Sequence, residues 1–570
     1  MKPGFQTHGR KLIPDGQPSS YIRTHHHQNT MRSFLLFNVA LLSFLHSARA
    51  QETTGALPAS LRFGLGAGSI PSAYAQPFNS AAAAIADAER EAQHKVPLYG
   101  RFVDCAAALH THGAWTELAG GDRVWRLRVE SPGALATELF FEEVNIPAGA
   151  QLHVVAPDQS EWFGGYTAAH VRDGLLSTDL IQGEACIIEY HEPAAVRGEG
   201  SFVMHRLAHA YGTAALSGAC QVDVACSEAN NWQDQVRSVM RMRVVDPIGV
   251  GFCTGVLMNN SAQDCKGYVL TANHCTMDSN TSNFASYQFR WNYQQPTCDG
   301  TGNVSGFNVV GCVRRADSND AGGDDGSDFT LVELSAAIPA SVNPYYAGFD
   351  ANSTAPTSGV CIHHPDGDYK KISTYTTTAV STTWQGPSGT HWRVTWAPTA
   401  NGHGVTEGGS SGSPIFNSAK RVVGTLTGGG SFCDTPTQPD YYGKMSYHFG
   451  TGNPNITTEE LKYWLAPVFN VTVLNGSNNP CATIGIDERA LPAPAVAPNP
   501  SLDRFSITLP ETITAADRWE ARDVTGRLVD AGRIGGERFV IEAEAWSEGA
   551  YALSILSSGD LVGATRVVKR

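Results

Sequence analysis

The chain has 570 residues and a formal net charge of −14. This length is too great for one domain and suggests roughly three to four. The acidic balance argues against nucleic acid as the main partner and favours a soluble protein, for which we expect a monomer. The 58 glycines and 30 prolines predict β-structure with many turns.

An export signal is predicted near the start of the chain. Met31-Arg32 is basic, residues 34–45 are apolar, and Ala48-Arg49-Ala50 fits a cleavage site. The apolar run is too short to cross a membrane. Residues 1–30 are interpreted as an upstream mis-start with Met31 as the true initiator, the alternative being a long polar extension of the signal. No metal site is expected at the three histidines of 25–27.

Residues 51–217 predict a small β-sandwich without catalytic residues. A helix is predicted at 80–95, and alternating or apolar strands are predicted at 124–129, 135–144, 152–155 and 185–190. The position between a signal and the next region indicates a pro-domain that assists folding. The twelve cysteines of the chain include no Cys-x-x-Cys pair and favour disulfides made outside the cytoplasm. Cys105 and Cys186, the two in this region, are predicted to pair.

Three stretches between 218 and 480 carry residues for nucleophilic catalysis. A strand at 267–273 leads into His274, Asp328 opens an apolar β-run, and Ser411 lies in the glycine-rich turn 407–416. A serine hydroxyl needs a base to remove its proton, a neutral imidazole is such a base near pH 7, and a carboxylate fixes the imidazole tautomer. Glycines in the turn allow close approach of a substrate and let backbone N–H groups point to one place. The order His, Asp, Ser is that of chymotrypsin-like proteases.

The same region resembles lysyl endopeptidases of the Achromobacter protease type, a bacterial branch of the trypsin-like serine proteases. The matching motifs are S-G-A-C at 217–220, F-C-T-G-V-L at 252–257, L-T-A-N-H-C at 270–275, W-N-Y-Q at 291–294, S-D-F-T-L-V-E-L at 327–334, I-H-H-P at 362–365, V-T-E-G-G-S-S-G-S-P at 405–414 and D-Y-Y-G at 440–443. The resemblance implies a double β-barrel with His274, Asp328 and Ser411 as the catalytic triad. It also implies an oxyanion hole made by the N–H groups of Gly409 and Ser411, and no cofactor or metal.

The resemblance further implies three disulfides and a specificity pocket. The disulfides are Cys220–Cys433, Cys226–Cys298 and Cys253–Cys275. The remaining cysteines of the region, Cys265, Cys312, Cys361 and Cys481, allow three connectivities, and all three stay open. Asp440 matches the carboxylate at the base of the primary pocket, where a buried anion selects a cationic side chain, and Trp384 matches a tryptophan near the active site. The alternatives without a functional role are that Asp440 is an ordinary acid in a loop and that Trp384 is an ordinary aromatic residue of the core.

The chain departs from the family pattern at three places. Thr427 stands where the family has a histidine, so the geometry beside the triad is expected to differ. Ser410 stands where trypsin-type enzymes have the aspartate that pairs with a freed N-terminus, so activity is not expected to need a buried α-amino group. The nearest basic residue upstream of the mature region is Arg206. It is either the first processing site or another protease matures the chain, and cleavage after Arg as well as Lys stays open.

Two further segments of the region give structural predictions. The Asp- and Gly-rich stretch 317–328 fits no calcium-loop spacing and is predicted to be a solvated turn. Residues 455–465 predict a capped amphipathic helix at the C-terminal end of the protease region.

Residues 491–500 are rich in proline and alanine and predict a linker. Beyond them, strands are predicted at 505–509, 519–524 and 551–555. The segment resembles the C-terminal sorting domain of type IX secretion, through P-N-P at 498–500, D-V-T-G-R-L-V at 523–529, G-A-Y at 549–551 and the basic end V-V-K-R at 567–570. That resemblance implies the outer-membrane secretion machinery as a partner; an ordinary binding module is the alternative.

The sequence therefore predicts a mainly β protein with five segments. These are an extension and signal (1–50), a β-sandwich pro-domain (51–217), a chymotrypsin-like double β-barrel protease domain (218–480), a linker (481–500) and a small β-sandwich sorting domain (501–570). The predicted function is a secreted serine endopeptidase that hydrolyses proteins and peptides after Lys, with Arg left open. The alternatives are an inactive protease-like surface adhesin and an esterase, which would have no use for Asp440.

Overall fold

The computed structural model describes residues 56–570 apart from 67–69, 92, 94, 213–216, 303, 305, 452–455, 469, 482–491, 514, 525 and 559. The predicted signal segment and residues 214–216 before the predicted mature region lie outside the described residues. Strands account for 41% of the chain and helices for 11%, which confirms a mainly β protein. Within the described part of the chain, no helix is both long enough and apolar enough to span a membrane.

The N-terminal region consists of two sheets and two helices. The helices are α1 (Ala59–Phe63) and α2 (Ser80–Glu91). The strands are β1 (Ser72–Tyr74), β2 (Leu98–Ala108), β3 (Ala114–Glu117), β4 (Arg123–Glu130), β5 (Ala136–Asn145), β6 (Gln151–Val155), β7 (Trp162–Tyr166), β8 (Leu176–Ser177), β9 (Ile181–Gln182), β10 (Ala185–Glu192) and β11 (Ser201–Ala210). All four predicted strands are present, as β4, β5, β6 and β10, and the predicted helix ends at Glu91, before 95.

These two sheets share one hydrophobic core. One sheet has the order β1-β4-β10-β6-β7, and the other contains β2-β11-β5-β8. Trp125 on β4 and Phe141 on β5 meet Phe202 on β11 in edge-to-face contacts. Cys105 and Cys186 lie buried in this core as free thiols, so the predicted disulfide between them is wrong. They pack as small apolar side chains, and burial raises the pKa of Cys105 to about 11.

The protease region adds three short helices and sixteen strands in its described part. The helices are α3 (Gln233–Ser238), α4 (Thr281–Ala285) and α5 (Lys462–Leu465). The strands are β12 (Val239–Asp246), β13 (Gly249–Leu257), β14 (Tyr268–Thr271), β15 (Gln288–Trp291), β16 (Phe307–Val310), β17 (Cys312–Asp317), β18 (Thr330–Leu334), β19 (Phe349–Asp350), β20 (Gly359–His363), β21 (Lys371–Tyr375), β22 (Val380–Thr382), β23 (His391–Val394), β24 (Pro414–Asn417), β25 (Val422–Gly429), β26 (Asp440–Lys444) and β27 (Val473–Leu474). Single helical turns of 3-10 or π type occur at Ala168–His170, Ala194–Val196, Ser227–Ala229, Ala340–Val342, Pro365–Gly367 and Tyr447–Thr451.

Two antiparallel sheets position the candidate site. The first has the order β16-β15-β12-β13-β14-β18-β17, and the second has the order β21-β20-β24-β25-β26-β23-β22. The strands are buried almost throughout; β12, β13 and β14 have no exposed residue. Loops at the strand ends, rather than the strands, carry His274, Asp328 and Ser411. The predicted helix near 455–465 is only the single turn α5, which starts after Leu461 without a side-chain cap.

An unpredicted contact joins the N-terminal region to the first protease sheet. Strand β2 pairs antiparallel with β13, with Arg101 opposite Gly249 and Gly100 opposite Val250. The sheet that contains β5 and β11 therefore continues into the protease sheet through this edge. Sequence patterns predict strands but give no partner for an edge strand, so this junction could not be read from the sequence.

Four disulfides are present in the described residues. The three pairs implied by the resemblance are confirmed: Cys220–Cys433, Cys226–Cys298 and Cys253–Cys275. The fourth, Cys265–Cys481, fixes the end of the protease region to the loop before β14. Cys312 and Cys361 are buried free thiols.

The C-terminal region forms two small sheets around its own core. Its strands are β28 (Ala495–Ala497), β29 (Arg504–Thr508), β30 (Arg518–Asp523), β31 (Leu528–Arg533), β32 (Arg538–Glu542), β33 (Gly549–Ser557) and β34 (Asp560–Lys569). The three predicted strands are β29, β30 and β33. Strand β28 pairs with β29 although it lies in the predicted linker, so the linker prediction is wrong for 495–497. Alternation of Val496 between alanines allows pairing despite the high proline content nearby.

Candidate active site

The loop after β14 presents His274 to Asp328. The backbone N–H of His274 donates to Asp328 Oδ1 at 2.9 Å, and the Nδ1 atom lies 2.8 Å from Asp328 Oδ2. The next residue, Cys275, is bonded to Cys253 on β13, which ties the loop to the first sheet. Both carboxylate oxygens are therefore used to set the position of this histidine, and the Nε2 side of its ring is left for a reacting group.

Asp328 is itself held in an uncommon conformation. Its φ of 59° lies in the left-handed region, and its side chain is fully buried. The Asp328 N–H donates to Asp320 Oδ2 at 2.7 Å, and the Gly323 N–H donates to Asp320 Oδ1 at 3.1 Å. Asp320 is buried, so the prediction that 317–328 is a solvated turn is wrong for this residue. The sequence alone marked no difference between Asp320 and the neighbouring acids.

The charges of this cluster favour an imidazole paired with an ionised carboxylate. Burial acts to lower the pKa of His274, but the charge and hydrogen bond of Asp328 outweigh it, and the pKa is raised. Burial acts to raise the pKa of Asp328, but His274 and a hydrogen bond from Thr427 lower it below its ordinary value. Burial and the neighbouring Asp328 raise the pKa of Asp320 to about 6.

Ser411 lies in a glycine turn that packs on the first sheet. The Ser411 carbonyl accepts a hydrogen bond from the Thr254 N–H at 2.8 Å, and the Thr254 hydroxyl donates to the Gly409 carbonyl at 2.9 Å. Gly412 has a φ of 78°, and a Cβ there would collide with Thr271 at the end of β14. The hydrogen bonds to Thr254 and the close approach of Gly412 to Thr271 thus place the serine turn beside the loop that carries His274.

The same turn has two backbone donors with no acceptor. The N–H groups of Ser410 and Gly412 donate to the carbonyls of Glu407 and Leu426. For Gly409 and Ser411, the part of the chain that the structure describes contains no hydrogen-bond acceptor for the N–H. Gly409 adopts a φ of 80°. Two such N–H groups, on residues separated by a single residue, can together bind a developing oxyanion.

Ser410 is part of a neutral network rather than an ion pair. Its hydroxyl lies 2.7 Å from His363 Nδ1, and His363 Nε2 lies 3.1 Å from the Ser373 hydroxyl. The Glu407 N–H also donates to the Ser410 hydroxyl. Burial lowers the pKa of His363 to about 3, so the ring is neutral. The turn is thus held by hydrogen bonds that do not require a freed N-terminus.

Asp440 is a fully buried carboxylate that receives four hydrogen bonds. Trp396 Nε1 (2.6 Å), the Thr406 hydroxyl (2.8 Å) and the Ser431 hydroxyl (2.6 Å) donate to Oδ2, and the Ser431 N–H donates to Oδ1 at 3.1 Å. Burial raises its pKa to about 6 despite these bonds. A Cβ at Gly429 would collide with Oδ1, so a bare glycine leaves space beside this oxygen.

Trp384 lies between this carboxylate and the triad. It is half-buried, stands edge-on to Tyr441 at 5.2 Å, and lies 3.2 Å from the position of a Cβ on Gly428. Gly428 is flanked by Thr427, which hydrogen-bonds to Asp328, and by Gly429, which lies against Asp440. Trp384 therefore covers the strand that connects the two carboxylate sites.

Thr427, which stands where the family pattern has a histidine, is paired with His391. Thr427 hydrogen-bonds to Asp328, and its hydroxyl lies 3.0 Å from Nε2 of His391 on the neighbouring part of the second sheet. Nδ1 of His391 lies 2.8 Å from the Thr390 hydroxyl. Burial lowers the pKa of His391 to about 4, which keeps the ring neutral. Thr427 could be recognised from the sequence as a departure, but His391 is 36 residues away and carries no recognisable signal.

Comparisons with known proteins agree with the resemblance in the central part of the chain. Residues 214–443 match the family model described as lysyl endopeptidase, C-terminal domain. A lysyl endopeptidase of Pseudomonas aeruginosa is 34% identical over 242 residues, which are 40% of this chain and 50% of that protein. The chain thus spans about half the length of this relative. The family-model range, 214–443, includes His274, Asp328, Ser411 and Asp440.

Solved protease structures also align with this chain. A thermostable serine protease, AL20, from an extremophilic microorganism aligns at 17% identity with a TM-score of 0.28, over 39% of this chain and 100% of that one. The protease Anisep from Arthrobacter nicotinovorans aligns at 15% identity with a TM-score of 0.27, over 37% and 90%. At these scores the architecture rests on the sheets and contacts described above.

Proposed function

We propose that the chain is a serine endopeptidase that cleaves proteins and peptides after Lys through an acyl-enzyme. Two observations carry the proposal. Both carboxylate oxygens of Asp328 contact His274, and the serine turn beside this histidine has two N–H groups without an acceptor among the described residues. This arrangement supplies a base, its orienting carboxylate, a nucleophile and oxyanion donors. The match of residues 214–443 to a family model named for lysyl endopeptidases supports the same reaction.

The proposed reaction has two steps with the same residues. Ser411 Oγ attacks the substrate carbonyl carbon while His274 Nε2 accepts the hydroxyl proton, and the oxyanion is bound by the N–H groups of Gly409 and Ser411. His274 then returns the proton to the leaving amine as the C–N bond breaks. A water molecule, deprotonated by His274, releases the acid and restores Ser411. Asp328 holds the tautomer and stabilises the imidazolium, which its effect on the His274 pKa supports.

The surroundings of Asp440 support Lys over Arg. Three donors already fill the lone pairs of Oδ2, and Oδ1 accepts one hydrogen bond beside Gly429. An ammonium group needs one free acceptor, whereas a guanidinium pairs best with both oxygens of a carboxylate. No cation of the chain is bonded to this carboxylate among the described residues. A substrate lysine would provide the missing positive charge.

Digestion of a protein mixture by the matured enzyme, read by mass spectrometry, tests both parts. We expect cleavage mainly after Lys, labelling of Ser411 by an organophosphonate, and loss of activity in Ser411→Ala. Full activity of Ser411→Ala would refute the nucleophile, and cleavage mainly after Leu or Phe would refute the pocket. Equal cleavage after Arg would restrict the proposal to basic residues. A chain that binds surfaces without any turnover would instead fit the adhesin.

Export and maturation form a second part of the proposal. Eight cysteines are joined in disulfides, which supports folding outside the cytoplasm. The separate C-terminal core and its sequence motifs support a sorting domain for type IX secretion. We expect the mature protein outside the cell, and deletion of residues 492–570 should retain it inside. Secretion of the truncated chain at the normal level would refute the sorting role.

A further inference from the structure

Three arginines lie together on one face of the first protease sheet. Strand pairing sets Arg243 opposite Phe252 and Arg241 opposite Arg290, so these side chains share a face across β13, β12 and β15. The Arg241 guanidinium lies over the rings of Phe252 (4.6 Å) and Tyr293 (4.3 Å). We call Arg241, Arg243, Phe252, Arg290 and Tyr293 the arginine face. Such a concentration of positive charge is unusual in a chain of net charge −14.

The N-terminal region covers the arginine face with acidic and aromatic side chains. Glu138 on β5 lies 3.8 Å from the Arg243 guanidinium, and the Ser177 hydroxyl accepts a hydrogen bond from it at 2.7 Å. Tyr99 stacks on Phe252 with ring centres 4.2 Å apart and donates to Glu138 at 2.7 Å. The pro-domain therefore supplies a carboxylate and an aromatic ring to a face that belongs to the protease region.

This cover pairs the arginines incompletely. Arg241 Nε and Arg243 Nε and NH1 are buried without a hydrogen-bond acceptor in the described residues. Arg241, Arg243, Glu138 and a second acid, Asp179, line a cavity of about 440 Å³ at the junction. Burial of N–H donors without acceptors raises the free energy of the folded chain. If this surface served only to bind the pro-domain, we would expect every arginine donor to have an acceptor there. Unused donors are expected instead if the arginines also bind carboxylates of another molecule.

The arginine face adjoins β13, because Arg243 on β12 pairs with Phe252 on that strand. Asp440 lies in the second sheet, so the residue before the cut would point there. The chain after the cut then runs past β13, whose Thr254 binds the serine turn. The segment 97–101 already follows this route: Pro97 lies near Gly408 and Gly251, and Arg101 lies opposite Gly249, farther from the turn. In the strand register Phe252 and its partner Arg243 lie one residue nearer the turn than Gly251, so a substrate on this route would pass them before it reached the places of residues 98–101.

We propose that Arg241 and Arg243, with Phe252, bind acidic side chains of the substrate on the leaving-group side of the cut. Thr254, which contacts the serine turn, is two residues from Phe252 along β13, so from a rise of about 3.3 Å per residue the acidic residues would be roughly the second to fourth after the scissile lysine. The pro-domain occupies this site in the precursor with Glu138 and Tyr99 and uncovers it when it is removed. The inference rests on the proposed endopeptidase function and defines its preferred substrates.

Paired peptides test the inference with enzyme matured from the full chain. One peptide has Lys followed by five alanines, one has Glu at the second to fourth positions after Lys, and one has Arg there. We expect the Glu peptide to have a KM about five- to tenfold lower than the Ala peptide at low salt, and the Arg peptide a higher one. The advantage should shrink at high salt because exposed charges are screened.

Two variants locate the effect. Arg243→Gln should reduce the Glu-to-Ala ratio to about one, and Arg243→Lys should keep part of it, because the charge remains. Arg314→Gln, which changes an exposed arginine paired with Asp317 on β17, should leave the ratio unchanged.

If the wild-type enzyme cleaves the Ala and Glu peptides with equal KM, the inference is refuted while the proposed function stands. If no Lys peptide is cleaved, the proposed function fails first. The salt dependence of the wild type decides the question even if Arg243→Gln does not fold.

Discussion

Asp328 and Asp440 are both fully buried aspartates, but their surroundings shift their pKa values in opposite directions. Asp328 faces His274, and the pair lowers the carboxylate pKa. Asp440 has only neutral donors around it, and burial raises its pKa to about 6. One carboxylate has its cation within the chain; the other has a place for a cation from outside. Under the proposed function, the first carboxylate positions the catalytic base and the second selects the substrate.

Removal of the Asp328 charge should have the larger effect. Asp328→Asn keeps the size of the side chain but removes the charge and favours the wrong tautomer of His274. We expect kcat to fall about 10⁴-fold, the magnitude known for this change in a trypsin-type triad. Asp325→Asn, an exposed acid in the same segment, is the control and should retain wild-type kcat. A fall of less than tenfold in Asp328→Asn would remove Asp328 from the triad.

Removal of the Asp440 charge should change selection rather than chemistry. For Asp440→Asn we expect kcat/KM on a Lys peptide to fall about 10³-fold, since a substrate ammonium would be buried without its partner. The value for a peptide with Met in place of Lys should change much less. Asp434→Asn, an exposed acid in the adjacent loop, is the matched control. Equal losses on the Lys and Met peptides would show that Asp440 supports the fold of the site and does not select the substrate.

The two aspartates also show what could be predicted from the sequence. The motifs around His274, Asp328 and Ser411 are local, since a glycine turn and a strand end can be recognised in the sequence, so these residues are predicted from it; the three disulfides follow only from the family resemblance. Asp320, His391 and the donors to Asp440 (Trp396, Thr406 and Ser431) come from distant segments. Their roles depend on which loops meet, and nothing in the spacing of polar residues specifies this.

The N-terminal region gives a second example of that limit. Alternation predicted its strands, because period two follows directly from strand geometry. The pairing of β2 with β13 depends on an edge left open in the protease sheet and on Gly251, where a Cβ would collide with the Pro97 carbonyl oxygen. The predicted disulfide of Cys105 and Cys186 was wrong because cysteine count does not distinguish a bridge from two thiols packed in a core.

The pH dependence should separate the two carboxylate sites in the wild-type enzyme. His274 acts as a base only when neutral, and its pKa is raised by Asp328, so kcat should decrease below a midpoint higher than the ordinary 6.5 of histidine. Below its midpoint, kcat falls about tenfold per pH unit. Asp440 binds a cation only when ionised, so KM for Lys peptides should rise below about pH 6.

Peptides with Lys or Met before the cut distinguish these two titrations. The decrease in kcat should be common to both peptides, and the rise in KM should occur only with Lys. In Asp328→Asn, the residual kcat should have its midpoint at lower pH, because the charge that raises the His274 pKa is absent. The same midpoint in both enzymes would contradict the assigned partner of His274.

The smallest expected effect concerns the link between the two sites, Thr427. Its hydroxyl hydrogen-bonds to Asp328 and lies 3.0 Å from His391 Nε2, and His391 Nδ1 lies 2.8 Å from the Thr390 hydroxyl. Thr427→Val removes one neutral hydrogen bond to the carboxylate, worth about 1 kcal/mol, or roughly fivefold. With this donor lost, the Asp328 carboxylate is less stabilised.

We expect kcat to change about threefold to tenfold in Thr427→Val, with a shift of its pH midpoint and little change in KM for Lys. The shift is the decisive measurement, since a merely packed threonine would alter stability and leave the midpoint where it was. Thr472→Val, an exposed threonine bonded to Asn352, is the control. An unchanged midpoint in Thr427→Val would assign the His391–Thr427 pair to packing and leave Asp328 positioned by His274 and Asp320 alone.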